Sequence, residues 1–380
     1  METTNNDKGV KVVIVCAIII FILILGGVAL STVDFKNIFK NETVNITKTE
    51  KEVTVTDEGI ADAVSKLYDA TVIVEVGSSK NNLTGWGSGV VYDTDDKYAY
   101  ILTNHHVVEN DSYVLIVYTD ESEVEGEIVG SDEIQDIAVV KVPVDSIITK
   151  AEIGSSSDLE LGDTVFAIGT PVSLSYKFTV TRGILSGKDR MCQMSSSSSN
   201  YGYSYYGNSS SNTWYMSLLQ IDATINSGNS GGPLANSNGQ VVGITNSKLS
   251  SSYSSVSIEN MGFAIPIEDA LNVASQIREK GKVTRPFLGV SASDVSQASR
   301  YGLELDDNIN GALITSVEAD STAQDAGLKK GDIITKIGDY EVKNYKYFRY
   351  YLYRYSVGDK ITITYIRDGK TKTVDITLKS

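Results

Sequence analysis

The segment 224–234, TINSGNSGGPL, places glycines at 228, 231 and 232 on the two sides of Ser230. Glycine adopts positive φ without steric cost, so the backbone amides of such a segment can come close to a reacting group. Asn-Ser-Gly clusters commonly form surface turns. The alternative is a nucleophile loop, in which the serine attacks a carbonyl and nearby amides stabilise the oxyanion.

A serine nucleophile needs a base, and the two histidines of the chain are adjacent, at 105 and 106 in YILTNHHVV. The apolar residues before them predict a strand that delivers one imidazole to its end. Alternation along that strand does not decide which histidine is the base. No cysteine, histidine or carboxylate nearby has zinc-site spacing, so the sequence predicts neither a metal nor a cofactor.

The base needs an orienting acid, and Asp136 is the best candidate because it opens the apolar segment DIAVVKV. A strand of that composition would carry the carboxylate inward, where it needs partners such as an imidazole N–H and backbone amides. Other aspartates before Ser230 lie in polar segments, and Asp222 precedes an apparent loop. The chain order His, Asp, Ser is that of chymotrypsin-type serine proteases.

Short alternating or apolar segments, separated by turn residues, dominate from residue 71 to residue 245. They predict a mainly β barrel or sandwich domain, with helices over 58–70 and 266–282. The serine- and tyrosine-rich stretch within 191–216 interrupts this pattern and predicts a low-complexity surface insertion. Its tyrosines are a candidate substrate contact. A second unit of strands and helix-turn segments follows Arg285-Pro286.

Residues 12–33 carry no charge and are long enough to span a bilayer as one helix. They predict a transmembrane anchor between a cytoplasmic tail, 1–11, and a polar linker, 34–57. A cleaved signal peptide is the alternative. The net charge of −15 disfavours a nucleic-acid partner. The two cysteines, Cys16 and Cys192, are not expected to pair, because Cys16 lies within the apolar segment.

YILTNHHVV, DIAVVKV, GNSGGPL and MGFAIP together resemble the HtrA (DegP/DegS-like) serine proteases. The resemblance implies a chymotrypsin-like double β-barrel over 58–282, with His106 as base, Asp136 as its orienting acid and Ser230 as nucleophile. It also selects His106 over His105, which replaces an asparagine of the family pattern. The implied oxyanion hole consists of the Gly228 and Ser230 amides, with Asn229 shaping the turn.

The same resemblance implies that Gly243, Ile244 and Thr245 form the strand that pairs with substrate. Ile225 and Ile244 become candidate walls of a small apolar specificity pocket, although both are equally consistent with a core position. TRGILSGKDR resembles the regulatory loop of the family, with Arg190 as the regulatory arginine. An exposed arginine without function is the alternative, since the insertion that follows departs from the family pattern.

Residues 286–380 resemble a PDZ domain of α+β type, most strongly in DAGLKKGDIITKIGD. The segment FLGV, which comprises Phe287, Leu288, Gly289 and Val290, matches the loop that binds a peptide carboxylate. In this binding mode the peptide adds a strand to the sheet. The resemblance therefore implies partners with free C-termini.

The predicted function is an ATP-independent, membrane-anchored serine endopeptidase that cleaves misfolded or damaged extracytoplasmic proteins. Its protease and PDZ domains would lie on the extracytoplasmic side of the cell membrane, with unfolded or membrane proteins as substrates. The family resemblance implies a homotrimer. The alternatives are a regulatory protease that cuts one membrane signalling protein, and a PDZ-based holdase or adaptor with little proteolysis.

Overall fold

A computed structural model describes residues 57–195, 213–247, 260–305 and 309–379. The predicted tail 1–11 and membrane segment 12–33 lie outside the described residues, and only residue 57 of the predicted linker falls within them. In the described ranges, no helix combines the length and hydropathy that a membrane crossing requires.

The chain after the first helix, α1 (Asp57–Tyr68), closes into a six-stranded antiparallel barrel with the order β1-β2-β3-β6-β5-β4. Its strands are β1 (Thr71–Ser79), β2 (Asn82–Thr94), β3 (Tyr98–Thr103), β4 (Tyr113–Val117), β5 (Glu123–Asp132) and β6 (Ile137–Pro143). A single helical turn, α2 (His105–Val108), follows β3. β6 is a nearly continuous β-branched segment and is buried along most of its length. This places the predicted strand DIAVVKV inside the barrel wall.

A second closed barrel follows, with the order β10-β11-β12-β9-β8-β7. Its strands are β7 (Thr164–Gly169), β8 (Thr179–Ser195), β9 (Thr213–Ile221), β10 (Pro233–Asn236), β11 (Val241–Thr245) and β12 (Gly262–Pro266). The largest hydrophobic cluster joins residues of both barrels with α1 and with α3 (Ile267–Lys280). The mainly β character predicted from the sequence pattern is confirmed, and so is the double barrel that the family resemblance implies.

The ends of the predicted insertion 191–216 belong to the second barrel. Residues 191–195 continue β8 and residues 213–216 begin β9, and the two segments pair in antiparallel register. Met194 and Trp214 are buried against the large cluster between the barrels. The apolar side chains at these ends therefore extend the barrel sheet. Residues 196–212 lie outside the described part of the chain.

α3 ends at Lys280 and is capped by Gly281, whose φ of 71° is the left-handed conformation of a helix C-cap. The C-terminal domain then forms one sheet with the order β13-β14-β15-β17-β18, and β16 pairs with β15. Its strands are β13 (Val290–Asp294), β14 (Ala312–Val317), β15 (Ile333–Ile337), β16 (Tyr340–Glu341), β17 (Lys360–Arg367) and β18 (Lys370–Thr377). Its helices are α4 (Thr322–Asp325) and α5 (Tyr345–Leu352).

The C-terminal domain contacts the protease domain through α5 and the residues that follow it. The buried Asp269 of α3 accepts a hydrogen bond from the Tyr350 hydroxyl (2.5 Å) and forms an ion pair with Arg354 Nε (2.9 Å). The Tyr345 ring packs edge-on against Tyr215 of β9 at a centroid distance of 6.1 Å. One helix of the C-terminal domain is thus held directly against both α3 and the second barrel.

Candidate active site

Asp136 lies in the turn between β5 and β6, where the first barrel closes. Its φ is +52°, a conformation that aspartate tolerates better than most residues. Its side chain is buried, and Oδ1 accepts the backbone N–H of His106 at 2.9 Å. Oδ2 lies 2.7 Å from His106 Nδ1. The carboxylate therefore fixes both the backbone and the ring of His106.

Two asparagine side chains donate further hydrogen bonds to Asp136. The Asn246 amide donates to Oδ2 at 2.6 Å, and the Asn104 amide donates to the Asp136 backbone carbonyl at 2.7 Å. Burial by itself would raise the pKa of Asp136, but the charge and hydrogen bonds of His106, with the Asn246 amide, hold it below its ordinary value. Asp136 is thus kept ionised and able to stabilise an imidazolium.

The two adjacent histidines have different partners. His105 Nδ1 lies 2.8 Å from the Ser131 hydroxyl, and its Nε2 lies 3.2 Å from Glu109. The contact of His106 with Asp136 engages Nδ1, which leaves Nε2 as the ring nitrogen for proton transfer. The structure therefore places His106, and not His105, in the position of a catalytic base.

The loop around Ser230 is tightly packed. Two of its glycines are required because a side chain at either position would collide with neighbouring atoms. Gly228 has φ +97°, and a Cβ there would lie 2.1 Å from the Thr170 carbonyl oxygen. A Cβ on Gly231 (φ +85°) would lie 2.3 Å from both the Ser88 carbonyl oxygen and the Thr103 hydroxyl. Ser88 of the first barrel also bonds the carbonyls of Ser230 and Gly228, each at 2.8 Å. The nucleophile loop thus fits against the other barrel.

The amides of Gly228 and Ser230 donate to no acceptor among the described residues, although both residues are buried. By contrast, the Asn229 amide donates to the Asn226 carbonyl, and the Asn229 carbonyl accepts the Gly232 amide, each at 3.0 Å. Buried amides without an acceptor are rare unless they serve a ligand. This is the arrangement expected of two donors reserved for an oxyanion, with Asn229 holding the turn.

The Ser230 hydroxyl is bonded to Ser247, which follows β11. The two hydroxyl oxygens lie 2.6 Å apart, and the Ser247 amide donates to Ser230 Oγ at 3.1 Å. Within the described ranges, these are the hydrogen bonds of the hydroxyl, and none joins it to the His106 imidazole. Asn246, adjacent to Ser247, bonds Asp136, so one short segment contacts both ends of the predicted triad.

Both edges of β11 are occupied along Gly243, Ile244 and Thr245. β11 pairs with β10 on one side and with β12 on the other, and Thr245 also exchanges hydrogen bonds with the Ser230 loop. A substrate strand therefore cannot pair there, contrary to what the family resemblance implies. The segment that adjoins Ser230 and Asp136 is the next one, Asn246 and Ser247.

The two candidate walls of the specificity pocket lie in different cores. Ile225 packs in the interior of the second barrel with Leu219, Ile221 and Ala264. Ile244 is fully buried in the cluster between the barrels. They therefore do not face one cavity, and of the two interpretations the core position is the one that the structure shows.

Arg190 lies on β8, opposite Leu218 of β9, and is exposed. Its Nε donates to Gln220 at 2.8 Å, and its guanidinium covers Gly187. TRGILSGKDR as a whole forms part of β8 and not a loop, because this strand extends through the barrel wall into its hairpin with β9. Within the described ranges, the side-chain hydrogen bond of Arg190 is the one to Gln220, which is not a regulatory contact.

The predicted carboxylate-binding segment, 287–290, lines one wall of a cavity of about 170 Å³. The opposite wall is α5, which contributes Tyr345, Arg349 and Leu352. Gly289 has φ +76°, and the amides of Leu288 and Gly289 donate to no acceptor in the described part of the chain. The Phe287 amide is used, since it donates to the Lys379 carbonyl at 2.8 Å.

Sequence reasoning missed Asn104, Asn246 and Ser247. The two asparagines are fully buried, and each directly follows a buried strand, which is a detectable signal because a buried amide must find partners. Ser247 carries no comparable signal. In the described ranges, no group of three or more His, Cys, Asp or Glu side chains has an arrangement that could hold a metal ion.

Comparisons with known proteins agree with this architecture. A model of the trypsin-like peptidase domain matches residues 87–244, and a PDZ domain model matches residues 286–378. Serine protease Do-like HtrB of Bacillus subtilis is 40% identical over 340 residues, covering 84% of this chain and 70% of that protein. Serine protease Do-like HtrA of Lactococcus lactis subsp. cremoris is 36% identical over 311 residues, covering 80% of this chain and 74% of that protein. A solved structure of the HtrA-type protease AlgW with a tripeptide has a TM-score of 0.62 at 28% identity, covering 84% of this chain and 96% of that one.

Two closed barrels and an adjoining PDZ domain thus define a trypsin-like serine protease, a peptide-bond hydrolase. At this identity and coverage, the chain belongs to the HtrA family.

Proposed function

We propose that this HtrA-family protein is an ATP-independent, membrane-anchored endopeptidase that cleaves misfolded or damaged proteins outside the cytoplasm. The observation that carries the catalytic part is the hydrogen bond between Asp136 and His106 Nδ1, at 2.7 Å, beside a serine loop with two unused amides. The anchor and the cellular side rest on the uncharged segment 12–33.

In the proposed reaction, His106 Nε2 takes the proton of the Ser230 hydroxyl as Ser230 Oγ attacks the substrate carbonyl carbon. The amides of Gly228 and Ser230 stabilise the oxyanion that forms. His106 then gives the proton to the leaving amine, and the C–N bond breaks to leave an acyl-enzyme. A water molecule, deprotonated by His106, hydrolyses the ester, and Ser230 recovers its proton. Asp136 stabilises the imidazolium throughout.

A fluorophosphonate probe tests the catalytic assignment on the full-length chain. The probe should label Ser230, as mapped by mass spectrometry, and unfolded casein should be cleaved. Ser230→Ala should lose both signals, while binding of C-terminal peptides persists. Labelling of another residue, or casein cleavage by the variant at the parental rate, would refute the assignment. Peptide binding without any labelling would favour a holdase or adaptor.

The cellular placement needs a separate test. The proposed topology predicts that the full-length chain sediments with membranes and that a protease added outside the cytoplasm digests its folded domains. A homotrimer, expected from the family, should appear in analytical ultracentrifugation. Recovery of the intact chain from the cytoplasmic soluble fraction would contradict the anchor.

A second candidate is a regulatory protease that cuts one signalling protein after activation. Two observations favour it: Ser230 Oγ is bonded to Ser247, and α5, which lines the peptide cavity, contacts the protease domain. AlgW, a structural relative, has been solved with a tripeptide and with a decapeptide. If this candidate is correct, a peptide with a free C-terminus should raise fluorophosphonate labelling severalfold. Equal labelling with and without peptide would exclude it.

A further inference from the structure

The PDZ cavity lies between an edge strand and a helix. β13 is the edge of its sheet and pairs with β14 on one side only, among the described residues. α5 lies across the cavity from the segment that leads into β13. An extended peptide can therefore add to β13 as a further strand and turn every second side chain toward α5.

The direction of such a peptide follows from the position of α5. The Tyr345 amide, at the start of α5, donates to the Asp294 carboxylate at the far end of β13 (2.9 Å). At the other end, the Arg285 guanidinium lies over the Tyr353 ring at 5.2 Å. A peptide whose carboxylate occupies the free amides of Leu288 and Gly289 thus begins near the C-terminal end of α5 and runs toward Tyr345.

Arg349 occupies the middle of the helix face that lines this cavity. Its two terminal nitrogens lie 3.3 Å from the Tyr345 hydroxyl and 3.4 Å from the Tyr353 hydroxyl. These phenols are one helical turn away on each side and hold the guanidinium along the groove face. Burial opposes its charge, but the hydroxyls raise the pKa of Arg349 above its usual value. The groove therefore contains a fixed positive charge.

Arg349 differs from the other partly buried arginines around this domain. Arg285, Arg354 and Arg367 each form an ion pair with a buried aspartate at 2.6–2.9 Å. Arg349 has no carboxylate within ion-pair distance among the described residues. A partly desolvated guanidinium favours a carboxylate partner, which here must come from a ligand.

We propose that the PDZ groove selects C-terminal peptides with an acidic residue two positions before an apolar C-terminal residue. Arg349 is the residue that pairs with the acidic side chain. The last and third-from-last side chains of an extended peptide point the same way, about 7 Å apart. The last side chain faces Leu352, and the third-from-last faces Arg349 and Tyr345. The terminal carboxylate is bound by the Leu288 and Gly289 amides. This proposal rests on the proposed peptide-binding function of the domain.

Fluorescence anisotropy with four peptides tests it, using the full-length chain in mild detergent with Ser230→Ala to prevent cleavage. The peptides share one sequence that ends in valine and carry Glu, Gln or Lys at the third-from-last position; the fourth is the Glu peptide with an amidated C-terminus. The Glu peptide should bind roughly tenfold more tightly than the Gln peptide. The Lys peptide should bind more weakly still, and amidation should abolish binding.

Arg349→Gln should bind the Glu and Gln peptides equally while keeping its affinity for the Gln peptide. Lys346→Gln, one of its neighbours on α5 that does not line the cavity, is the matched control and should retain the preference. Equal binding of the Glu and Gln peptides by the parent chain would overturn the selectivity and leave peptide binding intact. Equal weakening of both peptides by Arg349→Gln would assign Arg349 to the terminal carboxylate instead and also overturn it. Failure of every free-acid peptide to bind would overturn both the selectivity and the peptide-binding function.

Discussion

The Ser230 hydroxyl oxygen lies 2.6 Å from the hydroxyl oxygen of Ser247 and also accepts the Ser247 amide. A serine in the act of catalysis must give its proton to an imidazole. A Ser230 hydroxyl that donates to Ser247 must first exchange that partner for the imidazole. The segment after β11 therefore influences whether the nucleophile is ready, and its neighbour Asn246 contacts the acid that orients the base.

Ser247→Ala should accelerate labelling of Ser230 by a fluorophosphonate. The substitution removes a competing hydrogen bond, worth about 1 kcal/mol, so an increase of roughly fivefold is expected. Ser247→Thr retains the hydroxyl and should label at the parental rate. The measurement is the second-order rate constant of labelling. A slower rate in the alanine variant would show that Ser247 supports the nucleophile instead of restraining it.

Substitutions at the two adjacent histidines can be compared directly, since one removes the predicted base and the other does not. His106→Ala should reduce kcat/KM for a peptide substrate by about 10⁴-fold, because the base is lost. His105→Asn removes the contacts with Ser131 and Glu109, which lie outside the predicted triad, so activity should persist and stability should fall by at most about 1 kcal/mol. Loss of activity in the His105 variant with a full response to the probe in the His106 variant would reverse the assignment.

The sequence was most informative where chemistry requires rare residue types in a fixed arrangement. The two histidines occur at one place, and the glycines around Ser230 indicate a packed turn whatever its role. The strand that follows Asp136 could be predicted from its β-branched residues alone. These features are local, and local patterns determine which residues can lie at a strand end.

Contacts between segments distant in sequence could not be predicted. Whether β11 has a free edge depends on β10 and β12, whose pairing is not encoded in GIT itself. Ile225 packs inside the second barrel and Ile244 packs between the two barrels, so the side of the barrel wall that each residue faces decides which core it joins. Cys192 illustrates the same point, since composition alone places its segment in a surface insertion. Burial in the extended hairpin raises the pKa of its thiol to about 11.

The acid sensitivity of the protease domain should depend partly on Glu268, in the first turn of α3. Its carboxylate accepts hydrogen bonds from Ser155 Oγ (2.9 Å), Ser156 N (2.8 Å) and Ser156 Oγ (2.5 Å). Burial would raise its pKa, but these donors and the backbone of the helix start lower the pKa below 4.5. The folded state then binds the proton less tightly than the unfolded state. The stabilisation is present above the ordinary pKa and is lost as the pH falls through the folded value.

Glu268→Gln should therefore lower the melting temperature at pH 7, by an amount equivalent to about 1–2 kcal/mol. The difference from the parent should shrink as the pH is lowered below about 4. Glu279→Gln, at the exposed C-terminal end of the same helix, is the control and should show no loss at either pH. A Glu268 effect of constant size from pH 7 to pH 3 would mean that its charge is not what stabilises the helix start.

Gly228→Ala tests whether the nucleophile loop requires glycine for its contact or only for its backbone angle. The new Cβ would lie 2.1 Å from the Thr170 carbonyl oxygen, so the peptide that carries the oxyanion donor must shift. Loss of one such donor reduces kcat by about a hundredfold or more. Gly162 has nearly the same φ, +95° against +97°, but nothing lies within 4 Å of its Cβ position.

Gly162→Ala should therefore lose about 1 kcal/mol of stability from the strained angle, with kcat unchanged. The two variants separate strain, which they share, from collision with Thr170, which only Gly228→Ala creates. Steady-state kinetics and thermal denaturation of both variants give the comparison. If Gly228→Ala retains the parental kcat, the Gly228 amide is not an oxyanion donor. If both variants lose kcat equally, the loss reflects backbone strain and not the geometry of the oxyanion hole.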